Sequence, residues 1–374
     1  MLRYLTGGES HGKSMLAILD GVPAGLSVDT AKIDRELSRR MFGYGRGKRM
    51  TFESDKAEIL SGVRKGVSIG SPISIEIRNV DHSIDRMPVV LEPRPGHADL
   101  TGVIKYGLSD VRDVFERASA RETVARVGVG AICKLFLDEF GIEIMSHVTA
   151  IGGVESNVKG LGFTQLLTLS GTSPVRCADP RASALMCKEI SKAMESGDSL
   201  GGVFEVVITG VPAGIGSYTQ WDRKLDSMIA SGMMSIQAIK GVSIGMGFDA
   251  AKLKGSSVHD EIFYDKKKGF YRKTNNAGGI EGGMSNGEDI IIRCAMKPIA
   301  TLRKPLSSVN IKTKKPIKAT VERSDVCAVP AAAAIGESVA AFEIANAFME
   351  KFGCDSMSEI RRNYEGYKEQ VKKF

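Results

Sequence analysis

The chain has few of the residues that announce metal or disulfide chemistry. Its 374 residues include one tryptophan, five histidines and six cysteines. The cysteines (Cys133, Cys177, Cys187, Cys294, Cys327 and Cys354) form no C-x-x-C pair, and no cysteine–histidine cluster or H-x-x-E-H stretch is present. They read as reduced thiols of a cytoplasmic protein, and no metal is expected. No apolar run approaches the ~20 residues that span a bilayer, so no membrane association is expected. Met1-Leu2-Arg3-Tyr4 leads straight into patterned sequence, and no signal peptide is expected. A Ser/Pro-rich or polar linker is also missing. Length alone would allow two or three domains, but without a linker one integrated unit over 1–374 is the expectation.

What is present is positive charge and glycine. The net charge is +7 and there are 42 glycines. Arg35, Arg39, Arg40, Arg46, Lys48 and Arg49 crowd one stretch in which Glu36 is the only acid, interrupted by Gly43-Tyr44-Gly45 and Gly47. Such a run attracts an anion: nucleic acid, an acidic partner or a phosphorylated metabolite. Glycines let backbone approach a ligand closely. The RNA-binding reading calls for stacking aromatics, and only Phe42, Tyr44 and Phe52 are near. Loops of this composition close over bound anions, so mobility is expected over Tyr44 to Thr51 without ligand.

The chain repeats itself. Gly8-Glu9-Ser10-His11-Gly12, an apolar run and Gly21-Val22-Pro23-Ala24-Gly25 recur at an offset of 189 as Gly197-Asp198-Ser199-Leu200-Gly201, an apolar run and Gly210-Val211-Pro212-Ala213-Gly214. An Asp-Arg-x-Leu follows each, Asp34 to Leu37 and Asp222 to Leu225. Two pseudo-symmetric halves, about 1–190 and 191–374, are inferred.

The repeat also disposes of a tempting motif. Gly7 to Ser14 matches a P-loop, which needs a helix starting at Lys13. The duplicate run Val203 to Ile208 is β-branched strand, so Ser14 to Leu19 is expected to be strand as well. Strands are also expected at Ile73 to Ile77 and Ile290 to Ile292. Helices are expected at Thr30 to Arg40, Asp110 to Phe140 (with Gly128 and Gly130 weakening its middle), Ser183 to Glu195, Trp221 to Ile229 and Pro330 to Phe352. The class is mixed α/β (α+β).

Two histidines, His11 and His97, lie in glycine-containing loops beside polar residues, where a group titrating near ~6.5 can exchange a proton at neutral pH. His82, His147 and His259 read as structural. Arg117 and Arg121, four apart in Arg117-Ala118-Ser119-Ala120-Arg121, are expected on one helical face, a fork for carboxylate or phosphate. Asn275 to Gly283 is a glycine-dense loop suited to close approach of a flat ligand.

Several blocks stand in one order: Gly8 to Gly12, Arg39-Arg40 through Gly47, Arg94-Pro95-Gly96-His97-Ala98-Asp99, Arg117 to Arg121, Ser235 to Gly241, Asn276 to Gly283 and Glu322 to Ala332. Together they resemble the chorismate synthase family along nearly the whole chain. The resemblance implies a β-α-β sandwich built from a duplicated unit, usually a homotetramer. It implies a 1,4-anti elimination of phosphate from 5-O-(1-carboxyvinyl)-3-phosphoshikimate (EPSP), with reduced FMN required and no net redox change. It makes His11 the acid for the leaving phosphate, His97 a proton source for the reduced flavin, and Asp325 with Ser10 a relay at flavin nitrogen 5. Arg40, Arg46, Arg49, Arg94, Arg121 and Arg323 become the substrate clamp. Flavin contacts fall on Arg117, Ala118, Ser119, Gln237, Ala238, Gly282, Lys297, Pro298, Ile299, Ala300, Thr301 and Arg323. Arg40 and Arg46 also match NADP contacts. The chain departs from the family pattern at Met41-Phe42, which replace Gln-Gly, at Ala300, where proline is common, and over Ala333 to Gly336.

Overall fold

Ile73, Ile75 and Ile77 alternate with Ser74 and Glu76, and this alternation makes a half-buried strand. In the computed structural model, which describes residues 1–47, 54–267, 269–322 and 324–374, all three isoleucines are buried. Arg49 and Arg323, and the part of the expected mobile loop from Lys48 to Thr51, lie outside the described residues. The first sheet is antiparallel: β1 (Arg3–Gly7), β2 (Ser14–Asp20), β3 (Glu58–Ile59) and β4 (Ile73–Arg78), in the order β1-β2-β4-β3. Met15, Ala17 and Leu19 of β2 point inward with the isoleucines, while Leu16 and Ile18 face out. Strand follows Lys13 as expected, so the P-loop helix is not there.

The second sheet holds β5 (Glu143–Ile151), β6 (Val154–Glu155), β7 (Gly202–Thr209), β8 (Ile239–Ile244) and β9 (Ile290–Met296), all antiparallel in the order β8-β9-β7-β5-β6. Along the chain the longer helices are α1 (Thr30–Met41), α2 (Asp99–Tyr106), α3 (Arg112–Ala118), α4 (Thr123–Asp138) and α5 (Phe163–Thr172). They continue with α6 (Pro180–Ser196), α7 (Leu225–Met234), α8 (Val329–Phe352) and α9 (Met357–Lys373).

Helices α4 and α8 cross between the sheets. Gly128 of α4 lies over Ile75 and Ile77 of the first sheet, and Gly336 of α8 lies over Phe204 and Val206 of the second. At the crossing, a Cβ on Gly130 would stand 2.3 Å from the Cβ of Ser338, a gap that only glycine permits. With α1 and α7 beside them, the layers run sheet, helices, sheet: a β-α-β sandwich of the α+β class. Helix α8 is long and apolar enough to cross a bilayer, and it is instead the buried axis of this core.

The helix expected over Asp110 to Phe140 is broken, and at a different place from the glycines. It ends at Ala118, turns through the 3-10 segment Ala120–Glu122 and restarts at Thr123. Ser119 causes the break: its hydroxyl accepts from Arg121 N (3.3 Å) and its backbone is extended. Gly128 and Gly130 serve packing within α4. Trp221 to Arg223 is likewise a 3-10 turn ahead of α7.

The repeated segments carry the same hydrogen bonds. Leu26 N donates to Ser68 Oγ and Ile215 N to Ser285 Oγ, each at 2.9 Å. Those hydroxyls donate to Pro23 O and Pro212 O, each at 2.6 Å. Gly25 N and Gly214 N bond Ser68 O and Ser285 O. The Asp-Arg-x-Leu blocks differ, one lying within α1 and the other in the turn before α7.

Candidate active site

The Gly8–Gly12 loop joins β1 to β2. A Cβ on Gly8, at φ +101°, would meet Ser14 O at 2.2 Å, so only glycine makes this turn. The loop is held by Glu116 of α3, whose side chain is fully buried. Ser10 N donates to Glu116 O (3.0 Å) and His11 N to Glu116 Oε2 (2.8 Å). His11 Nδ1 is 2.9 and 3.0 Å from the two carboxylate oxygens. A carboxylate on Nδ1 fixes the tautomer and leaves Nε2 for chemistry, and Nε2 faces Asp81 at 4.0 Å.

Asn79 ties this loop to the arginines. Its Nδ2 donates to the carbonyls of Glu9 and Gly12, and its Oδ1 accepts from Arg121 Nε (2.8 Å). Arg121 Nη1 donates to Asp55 Oδ1 (2.7 Å), and Arg40 Nη1 reaches Asp55 Oδ2 (3.5 Å). Arg40 also donates to Thr123 Oγ1 (2.9 Å) and Ala120 O (3.0 Å). Two buried guanidinium groups therefore share one carboxylate. Burial, offset in part by Asp55 and reinforced by Arg121 and Arg46, pushes Arg40 down to about 9. Arg46 pairs with Asp325, which also accepts from Gly47 N (2.7 Å).

A second group forms around Asp99. This buried carboxylate accepts from Arg94 N (2.9 Å), Nε (2.8 Å) and Nη2 (3.0 Å) and meets His97 Nδ1. Burial raises its pKa, but the bonds from His97 and Arg94 prevail and hold it well below the usual carboxylate range. Arg94 Nη1 donates to Thr301 Oγ1 (2.8 Å). Phe115 lies between the guanidinium groups of Arg94 and Arg112, at 4.5 and 4.9 Å, which links this group to the His11 group through α3. Lys297 N donates to Ala238 O and its Nζ to Gly96 O, each at 2.9 Å. Ile299 O accepts from Ser199 Oγ (2.7 Å). A Cβ on Gly201 would lie 2.8 Å from Pro298 N, and one on Gly96 would lie 3.9 Å from the Cβ of Ala300.

The remaining expected flavin contacts gather at Glu122. It accepts from Thr6 Oγ1 (2.9 Å), Arg126 and Gln237 Nε2 (3.2 Å). Arg117 donates to Thr6 O, Thr6 Oγ1 and Gly8 O. Because α3 stops at Ala118, Arg117 and Arg121 are not on one helical face: Arg117 is exposed against β1, and Arg121 is buried on Asp55. Gln237 Oε1 is buried and without a hydrogen-bond partner among the described residues. Ala238 has φ +68°, a strained conformation for an L-residue. Gly282 stands apart, at the exposed turn of the hairpin Ile280–Glu281 with Met284–Ser285.

The basic run is not a solvated stripe. Arg40 is buried on Asp55, Arg39 donates to Glu36 and Glu337, and Arg46 pairs with Asp325. Glu116, Asp55, Asn79, Asp99 and Glu122 are the positions that sequence reasoning passed over. Their only signal is general: buried arginines and loop histidines need carboxylates, and which acids supply them is decided by the fold.

The chorismate synthase family model matches residues 2–349. A chorismate synthase of Alkaliphilus metalliredigens is 54% identical over 378 residues, 98% of this chain and 99% of that protein. One of Geobacter sulfurreducens is 54% identical over 394 aligned positions, covering all of both chains. A crystal structure of a chorismate synthase superposes with a TM-score of 0.83 at 44% identity, covering 100% of this chain and 99% of that one. By sequence and by fold, the chain belongs to the chorismate synthase family of lyases.

Proposed function

We propose that the chain is a cytoplasmic chorismate synthase that removes phosphate from EPSP by 1,4-anti elimination with reduced FMN. The observation that carries this reading is the Arg40–Asp55–Arg121 cluster, with Arg46 near it, joined through Asn79 to the His11 loop. A substrate with two carboxylates and a phosphate is matched by guanidinium groups that converge in this way. His11 Nε2, freed by the Glu116 contact at Nδ1, gives the leaving phosphate its proton. Arg94, fixed by Asp99 and Thr301, holds a further anionic group. Arg49 and Arg323 complete the clamp on this reading, and Arg40 and Arg46 are also the NADP-contact candidates.

The residues present suit a flavin. Gln237 Oε1 is a buried acceptor awaiting a donor, the strained Ala238 turns backbone beside it, and Lys297 faces Gly96 with its pKa lowered by burial and by Lys240. Reduced FMN, when bound, supplies the electron density that assists departure of phosphate and an acceptor for the ring hydrogen. On this reading His97, in contact with Asp99, is the proton source for the flavin, and Asp325 with Ser10 is the relay that takes a proton up. The repeated hydrogen bonds at Ser68 and Ser285 support one domain of pseudo-symmetric halves. The exposed Leu5, Leu16 and Ile18 on the outer face of the first sheet suit burial in a homotetramer.

The test is chorismate formation from EPSP under anaerobic conditions with dithionite-reduced FMN. Turnover by the wild type and its loss in His11→Ala and Asp325→Ala is the expected result. A folded wild type that binds FMN without turnover would overturn the assignment.

A further inference from the structure

Arg39 and Arg40 leave the last turn of α1 in different directions. Arg40 enters the candidate active site, and Arg39 enters a separate groove of about 830 Å3 between α1, α4, α5 and the start of β5. The floor of this groove is an ion network. The fully buried Glu337 accepts from Arg39 (2.6 and 2.7 Å), Lys134 (2.6 Å), Arg176 (2.7 Å) and Ser146 (2.6 Å). Glu36 takes further bonds from Arg39 (2.8 Å) and Lys134 (2.6 Å). Within this hydrogen-bonded network, among the described residues, three cations face two carboxylates, an excess of one positive charge.

Arg176 marks where that charge is available. It is 8% exposed and lines the groove. Its Nε is buried and has no hydrogen-bond partner among the described residues. Its backbone sits at φ +57°, a conformation that costs an L-residue free energy and is seldom kept without a task. The exposed Arg35 stands at the rim. Phe42, Leu135, Ile142, Ile144 and Leu167 make the apolar part of the walls, and Lys32 paired with Asp138 (3.6 Å) and the exposed Glu143 complete the lining.

We propose that this groove is a second ligand site, distinct from the candidate active site, which takes a small organic anion. The acidic group of the ligand meets the Arg176 end of the network, and its apolar body lies along Leu167 and Ile144. A buried donor without a partner and a surplus cation reward an anion, while the apolar walls reward a hydrocarbon portion.

Benzoate and its uncharged analogue benzamide are the probes, titrated calorimetrically into the full chain at low ionic strength. Benzoate is expected to bind with a dissociation constant of about 1 mM and benzamide at least tenfold more weakly. Arg176 unpairs Glu337 if replaced, so the variants are Leu167→Glu and Arg35→Ala, at exposed positions off the ion network. At least one should weaken benzoate tenfold, while Arg46→Ala in the candidate active site should leave its affinity intact. In crystals soaked with 4-bromobenzoate the bromine signal should lie in the groove. The proposal is overturned by equal binding of the two probes, by no binding of benzoate, by affinity lost only in Arg46→Ala, or by bromine confined to the Arg46–Arg121 region.

Discussion

His11 Nδ1 and the buried carboxylate of Glu116 stand 2.9 Å apart, and the same carboxylate accepts the His11 backbone N–H. One acid therefore sets both the ring orientation and the loop that carries it. Glu116→Gln keeps the shape and one acceptor but removes the charge that faces Nδ1 and the loop N–H. With EPSP and reduced FMN its kcat should fall by about tenfold, against about 10²–10⁴-fold for His11→Ala, the range for losing a general acid. KM should change little, because Glu116 is expected to touch His11 and not the substrate. Unchanged kcat in a folded Glu116→Gln protein would remove the carboxylate from the mechanism.

Asp55 is the sole carboxylate bonded to both Arg40 and Arg121 among the described residues, and its side chain is fully buried. In Asp55→Ala two buried guanidinium groups lose the carboxylate they share, at a cost of about 3–5 kcal/mol. Urea unfolding should show this loss, and added inorganic phosphate should recover part of it by supplying the missing anion. A variant within about 0.5 kcal/mol of wild type, the usual scatter of surface changes, would mean that water already screens the pair.

Much of this was legible in the sequence wherever a periodicity or a repeat carried it. Alternation gave the strand at Ile73 to Ile77, and the repeat turned the P-loop look-alike into strand. The helix from Asp110 to Phe140 was misread because its breaker is a hydroxyl. Gly128 and Gly130 looked like weak points, yet they are where α4 meets the first sheet and α8, whereas Ser119 ends the helix by offering its side chain to Arg121 N. That competition is local but depends on geometry that composition does not reveal. The acids around the site were harder still. Asp55 and Glu116 become partners of Arg121 and His11 only through contacts 66 and 105 residues apart in sequence.

The two glycines of α4 make a paired test. A Cβ on Gly130 would lie 2.3 Å from Ser338 Cβ and 2.5 Å from its Cα, so the backbones of α4 and α8 would have to part. Gly130→Ala should destabilise by about 1–3 kcal/mol, as overpacking does. On Gly128 the nearest atom would be Ile75 Cδ1 at 3.5 Å, an ordinary contact. Gly128→Ala should therefore be neutral or stabilising by up to about 1 kcal/mol through helix propensity. Thermal unfolding of both variants decides this, and equal effects would mean that the crossing is looser than described.

Glu343 of α8 gives the fold a pH dependence of its own. Burial raises its carboxyl from the ordinary 4.5 to about 7. Between those values the folded protein keeps a proton that the unfolded chain has released. The contribution of Glu343 is therefore fully present below about 4.5 and is lost as pH rises through about 7. The loss amounts to on the order of 3–4 kcal/mol, taking 1.36 kcal/mol per pH unit. Glu343→Gln cannot titrate, so the difference in unfolding free energy between wild type and variant should shift by that amount in favour of the variant from pH 4.5 to pH 8. Other titrating groups are common to both proteins and cancel in the difference. A constant difference across that range would mean that Glu343 is hydrated well enough to ionise normally.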